Sequence, residues 1–208
     1  MNGYLVIAGL VLIGLIIFIF YSQLLKEKDS ETVLLKGPTK FKEDFEKDID
    51  LSNLGKLDNS GKGYGLTLSW EMYIPNYSEN VNYNSSFNKL KPIMKFGDSP
   101  KIYYHPKNGY LSIILKYTDN PFYSNYPEIK IENIKLQKWN KCILIINDRH
   151  VNFYIDGKLV KSRTIMNVPV IDYNNNLMLG ELNNNFHGNV KNIKLLTYPV
   201  NIKTAKKM

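Results

Sequence analysis

The chain has 208 residues, 44% hydrophobic and 12% aromatic, which is enough apolar material for the core of one ordinary domain and excludes a chain that is disordered throughout. Its 15 Tyr and 9 Phe favour strands, since aromatic side chains fit a half-buried pleated surface. The net charge is +8, but only Arg149 and Arg163 are arginines, and the charge is interspersed with acidic residues, so nucleic acid is not expected as a partner.

The N-terminal stretch Leu5–Phe20 carries no charge and is bracketed by Tyr4 and Tyr21. Together with the two tyrosines it would form a helix of about 18 residues that spans roughly 27 Å, close to one hydrocarbon core, with the tyrosines at the level of the aromatic belts. A cleaved signal peptide is the alternative, but the segment lacks a basic n-region and a small-residue cleavage site. We predict a retained transmembrane anchor over residues 1–25, with the lipid bilayer as a partner and Tyr4 and Tyr21 at the interface.

The charges that flank this anchor predict its orientation. No lysine precedes it, whereas several follow, namely Lys26, Lys28, Lys36, Lys40 and Lys42. The positive-inside rule places the C-terminal domain of this single-pass membrane protein on the cytosolic side. Glycosylation sequons at Asn76 and Asn84 would argue for a lumenal domain. Because Asn is abundant, which we interpret as the bias of AT-rich coding, two chance matches are expected.

Beyond a charged stalk at residues 26–31, strands are predicted in series. Thr32–Leu35 is the first, and Lys40–Asp50 follows as a solvated connector anchored by Phe41 and Phe45, or as one or two amphipathic helical turns. A half-buried strand is then predicted with Leu66, Leu68, Trp70 and Met72 inward and Thr67, Ser69 and Glu71 outward. Further strands are predicted at Ile93–Phe96, Ile102–Tyr104, Leu111–Tyr117 and Ile129–Ile131.

The polar stretch Asn76–Lys89 is long for a hairpin loop and rich in Asn, Ser and Tyr, which makes it a candidate interaction loop. Tyr and Asn suit sugar stacking or a protein interface, while rim packing and a disordered insertion are the alternatives. The candidate interaction residues are Tyr77, Tyr83, Asn84 and Phe87.

The stretch Trp139–Tyr198 gives the clearest local signal. Asp156-Gly157 lies between alternating runs and predicts a hairpin turn with two positive φ angles. A three-residue step in the apolar pattern predicts a β-bulge near Lys191-Asn192. Cys142 lies in an apolar run and is predicted to be a buried small hydrophobe. The polar residues at the hairpin ends are interpreted as turn and rim residues, namely Asp148, Arg149, His150 and Asp156.

No pattern in the chain indicates catalysis. Glycoside hydrolysis needs two carboxylates that face one cleft, and the nearest run of acidic residues, Glu46-Lys47-Asp48-Ile49-Asp50, falls in the predicted connector. Glu128 and Glu132 flank Lys130 on a predicted solvent face. The three histidines lack a second ligand at metal-binding spacing, so no zinc site is predicted; they are His105, His150 and His187.

Several of these stretches resemble a laminin G-like, concanavalin A-like jelly roll: LTLSWEMYIP, IMKFGDSPKIYY, KLQKWNKCILII, HVNFYIDGKLVKS and the closing LMLGELNNNFHGNVKNIKLLTYPV. The resemblance covers residues 32–200 and implies an all-β, two-sheet antiparallel sandwich of about a dozen strands, followed by a basic tail at 201–208. Some laminin G-like domains bind calcium at a loop rim. The loop carboxylates Asp98, Asp119 and Asp172 are candidates, but no acidic cluster supports calcium, and no cofactor is predicted.

An N-terminal membrane helix ahead of such a domain also resembles proteins of large nucleocytoplasmic DNA viruses. The sequence therefore predicts a membrane-anchored, non-enzymatic structural or interaction protein, a virion component that docks onto neighbouring membrane or virion proteins. The alternatives are a surface lectin or adhesion module that binds glycans and a divergent glycoside hydrolase.

Overall fold

The computed structural model describes residues 12–20, 32–42, 45–51, 62–63, 65–75, 89–117 and 127–207. The chain divides into two compact units, Met1–Thr32 and Val33–Met208. In the first unit, residues 12–20 are helical and exposed. No helix within the described ranges is both long and apolar enough to cross a membrane. The rest of the predicted anchor, including Tyr4 and Tyr21, lies outside the described residues, so the anchor stays a prediction.

The described residues of the domain form fifteen strands and a short C-terminal helix (Ile202–Lys207). In chain order the strands are β1 (Thr32–Leu35), β2 (Thr39–Phe41), β3 (Glu46–Ile49), β4 (Lys62–Gly63), β5 (Gly65–Tyr73), β6 (Lys91–Phe96), β7 (Lys101–His105), β8 (Tyr110–Ile114), β9 (Glu128–Ile131), β10 (Trp139–Asn147), β11 (His150–Ile155), β12 (Lys158–Thr164), β13 (Ile171–Asp172), β14 (Leu177–Gly180) and β15 (Gly188–Leu196).

Two antiparallel sheets make up the sandwich. The seven-stranded sheet has the order β1-β15-β5-β10-β11-β12, with β2 also paired to β15, and the six-stranded sheet has the order β3-β14-β6-β7-β8-β9. β4 and β13 form a separate two-stranded pair. The all-β, two-sheet architecture is thus confirmed. The strands predicted from Ile93, Ile102, Leu111 and Ile129 are confirmed as β6 to β9, except that β8 ends at Ile114 and not at the predicted Tyr117.

One continuous hydrophobic core contains residues from both sheets. The inward residues of β5 are at most 1% exposed, as the period-two alternation predicts: Leu66, Leu68, Trp70 and Met72. Trp70 meets Phe153 of β11 edge to face, with ring centroids 5.7 Å apart. Cys142 is fully buried in the same core, which confirms its predicted role as a small hydrophobe.

Both predicted backbone irregularities in the C-terminal half are present. Asp156 and Gly157 have φ angles of 49° and 75°, so the β11–β12 hairpin turn has its two positive φ values. In the pairing of β15 with β5, Lys191 faces Glu71 while Lys194 faces Ser69, which leaves one extra residue on β15. Asn192 carries this bulge at a φ of 52°.

The prediction that Lys40–Asp50 is a connector or a helical turn is wrong, while its two Phe anchors are confirmed. The segment contributes β2 and β3, and its Glu46-Lys47-Asp48 spelling therefore lies on a strand of the sandwich. Phe41 is 1% exposed, and its ring lies 4.5 Å from that of Phe45. The charged residues of this segment suggested a solvent-exposed connector. They are instead compatible with a strand, because β3 lies at the edge of the six-stranded sheet and edge strands commonly carry charged residues.

The outer face of the seven-stranded sheet is partly covered by the C-terminal segment. Thr67 and Ser69 were predicted to point to solvent, yet they are 0% and 2% exposed. The Thr67 hydroxyl donates to the Tyr198 carbonyl at 3.0 Å and accepts from the Val200 amide at 3.1 Å. The chain after β15 therefore folds back across β5.

The segment predicted as a basic tail is, from Ile202 to Lys207, a helix that packs on the sheet. Its Ala205 is fully buried against Ile143 and Ile145 of β10. Asn201 caps the helix by accepting a hydrogen bond from the Thr204 amide at 3.0 Å. Among the described residues, the C-terminal segment therefore covers one half of this sheet face and leaves the other half, which carries the half-buried Tyr73 and Trp139, uncovered. We call this second part the open half.

Candidate functional site

The predicted interaction residues cannot be placed, because Tyr77, Tyr83, Asn84 and Phe87 lie outside the described residues, as do the sequon residue Asn76 and the calcium candidate Asp119. The described residues run to Pro75, two residues after the end of β5, and resume at Lys89.

The open half of the seven-stranded sheet presents two rows of side chains in register. In the first row Tyr73 lies between Asn189 and Trp139, on strands β15, β5 and β10. In the second row Glu71 lies between Lys191 and Lys141 on the same strands. We call the cluster of Glu71, Tyr73, Trp139, Lys191 and Asn192 the aromatic platform.

The aromatic rings of the platform adjoin one another at the end of the sheet. The Tyr73 and Trp139 ring centroids are 5.7 Å apart with an interplanar angle of 50°. The Lys191 Nζ lies 4.2 Å from the Trp139 centroid, within cation–π range. Both aromatic residues are only half-buried. They offer apolar ring surface next to a positive charge.

Hydrogen-bonding groups lie directly beside these rings. Glu71 Oε1 accepts a hydrogen bond from Asn192 Nδ2 at 2.7 Å, and its Oε2 is 3.4 Å from Lys191 Nζ. The bulge places the Asn192 side chain on the same face of the sheet as Lys191. In a regular strand, the side chains of these two neighbours would point to opposite faces. The Glu71 and Lys191 side chains are 25% and 27% exposed, so both can also contact a ligand.

Next to the platform lies a cavity of about 360 Å³ lined by Lys141, Ile143, Asp156, Gly157 and Lys206, which we call the turn pocket. Asp156 Oδ1 accepts a hydrogen bond from the Lys141 amide at 3.1 Å, and the Lys141 Nζ donates to the Lys206 carbonyl at 3.1 Å. Residues of the β11–β12 turn and of the C-terminal helix thus both line the turn pocket.

The loop before β10, which is held by hydrogen bonds to Asn140, brings Lys135 and Lys138 to the β11–β12 turn. Asn140 is fully buried and accepts a hydrogen bond from the Lys135 amide at 3.1 Å. Its Nδ2 donates to the carbonyls of Lys135 and Lys138 at 2.8 and 2.9 Å. The Lys135 and Lys138 ammonium groups lie 3.9 and 4.0 Å from Asp156 Oδ2.

A second cleft, of about 480 Å³, opens on the six-stranded sheet beside Asp48, Lys95, Lys101 and Asn174–Asn176. Its charged groups are already paired. Asn176 donates to Asp48 at 2.8 Å, and Lys95 Nζ lies 2.7 Å from Glu181. The cleft is therefore a weaker candidate for a charged ligand than the turn pocket.

The loop carboxylates considered for calcium are also engaged by the protein. Lys116 and Lys101 hydrogen-bond Asp98 at 3.1 Å each, and this contact holds the pKa of its carboxyl below the usual value. Asp172 Oδ1 accepts a hydrogen bond from the Asn174 amide at 3.0 Å within a turn. In the described portion, no three His, Cys, Asp or Glu side chains gather in a metal-binding group.

The hairpin-end residues take part in turns and pairing. Asp148 has a φ of 49°, and the Arg149 carbonyl accepts a hydrogen bond from the Ile165 amide at 2.8 Å. His150 Nδ1 lies 3.1 Å from the Thr164 hydroxyl oxygen of the neighbouring strand. On the other sheet, His105 stacks against Tyr110 with centroids 4.9 Å apart.

Residues 55–202 match the concanavalin A-like lectin/glucanases superfamily, and this match covers most of the chain. The chain belongs to this superfamily. The predicted laminin G-like, concanavalin A-like domain is thereby confirmed. No curated protein sequence matches the chain.

Solved structures with a similar fold are distant in sequence. The receptor-binding domain of botulinum neurotoxin D has a TM-score of 0.64 at 13% identity, covering 85% of this chain and 46% of that chain. A structure of the serotype D ligand binding domain with N-acetylneuraminic acid gives 0.61 at 14%, covering 85% and 44%. The binding domain of Paraclostridial Mosquitocidal Protein 1 gives 0.56 at 16%, covering 85% and 46%. The chain thus spans less than half of these structures.

Sequence reasoning missed the platform of this superfamily member although it named four of the five residues, including Glu71 as an outward residue of its strand. Trp139 was used as a marker of the fold, and Lys191 and Asn192 as the position of a bulge. The alternation of β10 places Trp139, Lys141 and Ile143 on one face, which was a usable signal. The strand order around β10 depends on contacts between distant parts of the chain. The neighbours of Trp139 could therefore not be predicted from the local sequence.

Proposed function

We propose that this superfamily domain is a carbohydrate-binding module whose ligand binds on the aromatic platform. The observation that carries the proposal is the juxtaposition of the Tyr73 and Trp139 rings with Glu71, Lys191 and Asn192 on an open part of the sheet. The apolar faces of a sugar ring stack on aromatic side chains, while carboxylate, amide and ammonium groups hydrogen-bond its hydroxyls.

Membership of a superfamily described by its lectins and glucanases supports this kind of ligand. So does the similar neurotoxin domain that was solved with N-acetylneuraminic acid. Because the match covers 44% of that chain, the likeness supports the class of ligand rather than its position.

We propose binding without hydrolysis. The platform carboxylate Glu71 is held by Asn192 and Lys191, and Asp156 is held by the Lys141 amide and faces two lysines. A glycosidase needs one of two facing carboxyl groups free to donate a proton and the other free to attack or activate water. Release of reducing sugar from any bound glycan by the full chain would overturn this part of the proposal.

The test is a glycan array probed with the full chain and matched variants. Trp139→Ala removes the larger ring and should weaken binding by about tenfold or more. Glu71→Gln keeps the shape of the side chain but removes its charge, and we expect a loss of about tenfold. Circular dichroism of each variant shows whether the fold is retained.

Tyr110→Ala is the matched control, because Tyr110 is a half-buried aromatic residue on the outer face of the six-stranded sheet. Binding should survive this change. A ligand lost with Tyr110→Ala and retained with Trp139→Ala would move the site to the other sheet and overturn the platform proposal. No binding to any saccharide by the full chain would overturn the proposed function.

We further propose, from the apolar segment between Tyr4 and Tyr21, that the chain is anchored in a membrane with the domain on the cytosolic side. Protease protection of the full chain in sealed vesicles tests this proposal: digestion of the domain from the cytosolic side supports it, and full protection contradicts it. The predicted docking partners and virion role stay predictions.

A further inference from the structure

The turn pocket adjoins the aromatic platform. Lys141 lies directly opposite Glu71 in the β10–β5 register, and neighbouring strands are about 5 Å apart. A ligand that stacks on Trp139 and contacts Glu71 therefore reaches the Lys141 wall of the turn pocket within the width of one sugar ring. The platform and the turn pocket can be occupied by one ligand.

Positive charge is in excess around the turn pocket. Glu71 is matched by Lys191 at 3.4 Å, and Asp156 faces both Lys135 and Lys138. Within the described ranges, no carboxylate forms an ion pair with either pocket lysine, Lys141 or Lys206. Two ammonium groups in a cavity beside a binding surface favour an anionic ligand.

The C-terminal helix supplies half of this charge and is held in place. Ala205 is fully buried against Ile143 and Ile145, and the Lys206 carbonyl accepts a hydrogen bond from Lys141 Nζ. The Lys206 side chain lies over Gly157, where an added Cβ would come within 3.2 Å of its Cε. The superfamily match ends at residue 202, where this helix begins.

We infer that the turn pocket is the subsite for a carboxylate or sulfate group, and that the ligand is consequently an acidic saccharide. The ring of this saccharide stacks on the platform while its anionic group lies between the ammonium groups of Lys141 and Lys206. The inference rests on the proposed function, since it assigns a ligand class to the same site.

The experiment uses pairs of saccharides that differ in the anionic group alone, namely glucuronic acid against glucose and galactose 6-sulfate against galactose. Binding to the full chain is measured by NMR titration, with the Gly157 and Lys206 amides as reporters. The acidic member of each pair should bind about tenfold more tightly at low salt, and high salt should reduce the difference.

Lys206→Ala and Lys141→Ala should each remove most of this preference, so that the acidic and neutral members of a pair bind about equally. Lys207→Ala is the matched control, because it removes the same charge from the next residue of the same helix, which does not line the pocket. The preference should persist in this control.

The outcomes separate the two proposals. Equal binding of acidic and neutral sugars overturns the subsite and leaves the platform standing, whereas no binding of either kind overturns the proposed function. A loss of acidic preference that is the same for Lys207→Ala and Lys206→Ala reflects net charge and overturns the subsite. Binding of anionic phospholipid vesicles or inorganic sulfate with Lys206 dependence, but of no acidic sugar, overturns the saccharide assignment.

Discussion

At the residue scale, single asparagine side chains hold separate parts of the chain together. Asn185 is 2% exposed, and its Nδ2 donates to the carbonyls of Lys42, at 2.7 Å, and Phe45. Its Oδ1 accepts from the Glu181 amide at 2.7 Å. One amide thus joins the loop after β14 to the segment between β2 and β3. The Asn content interpreted as coding bias includes residues with structural roles.

Replacing Asn185 by Asp keeps its shape but turns a donor into an oxygen that faces two carbonyls. We expect Asn185→Asp to lower the free energy of unfolding by at least about 2 kcal/mol, because two buried acceptors lose their donor and a charge is buried. Urea unfolding measures the change.

The neighbouring residue provides the control. The Asn184 side chain acts as an acceptor, from Lys91 Nζ at 3.1 Å, so Asn184→Asp preserves its hydrogen bond. Its effect should stay within about 0.5 kcal/mol. Equal losses for the two variants would contradict the role assigned to Asn185.

At the element scale, the ends of the strands depend on glycines with positive φ, and what surrounds each glycine differs. Gly180 ends β14 at a φ of 75°, where an added Cβ would lie 2.5 Å from Asn185 Oδ1 and 2.7 Å from the Phe45 carbonyl. Gly109 precedes β8 at a φ of 65° with nothing within 4 Å. Comparing alanine variants at Gly109 and Gly180 therefore separates the cost of backbone strain from the cost of steric crowding.

Gly109→Ala should cost about 1 kcal/mol of stability, the backbone strain of a left-handed alanine alone. Gly180→Ala adds the steric overlap, and we expect a loss of about 3 kcal/mol. Thermal and urea unfolding of both variants test the difference. A Gly180→Ala variant no less stable than Gly109→Ala would show that the loop after β14 relaxes.

At the scale of the whole molecule, burial on folding shifts the pKa values of two ionisable groups. Burial raises the pKa of the Cys142 thiol, with Asp156 adding to the effect, and burial also raises the pKa of the Tyr173 hydroxyl. The Tyr173 hydroxyl donates to the carbonyls of Gly65 and Thr197. Both groups are therefore neutral in the folded chain well above the pH at which they ionise when unfolded.

The stability of the chain should accordingly fall in alkaline solution. Below the unfolded pKa of a thiol, about 8.5, both states keep the proton and Cys142 has no effect. Above it the unfolded state loses the proton while the folded state keeps it, so the free energy of unfolding falls by about 2 kcal/mol between pH 8.5 and 10. Tyr173 adds a further fall above about pH 10.

Urea unfolding between pH 7 and 10.5 measures this slope, and Cys142→Ala is the control because it removes the thiol and with it the fall below pH 10. A thiol reagent should label Cys142 in the unfolded chain and not in the folded one. An identical slope with and without the thiol would show that Cys142 does not cause the fall.

Local patterns determined much of the fold. The alternation of β5, the Asp156-Gly157 turn and the bulge at Asn192 were all predicted, because each depends on side-chain periodicity or φ preference within a few residues. The two-sheet sandwich was implied by the resemblance of these strands to a concanavalin A-like jelly roll. The charged edge strand β3 was missed because its exposed residues lack that periodicity.

Tertiary structure alone decided where the platform and the turn pocket lie. Trp139, Tyr73 and Lys191 are far apart in the chain and meet because β10, β5 and β15 are neighbours in one sheet. Thr67 is buried where the segment after β15 folds over it at Tyr198 and Val200. The basic segment that follows, predicted as a tail, packs as a helix on β10. Such contacts depend on strand order and on the docking of distant segments. The local sequence carries no periodic signal for either, so only the tertiary structure shows these contacts.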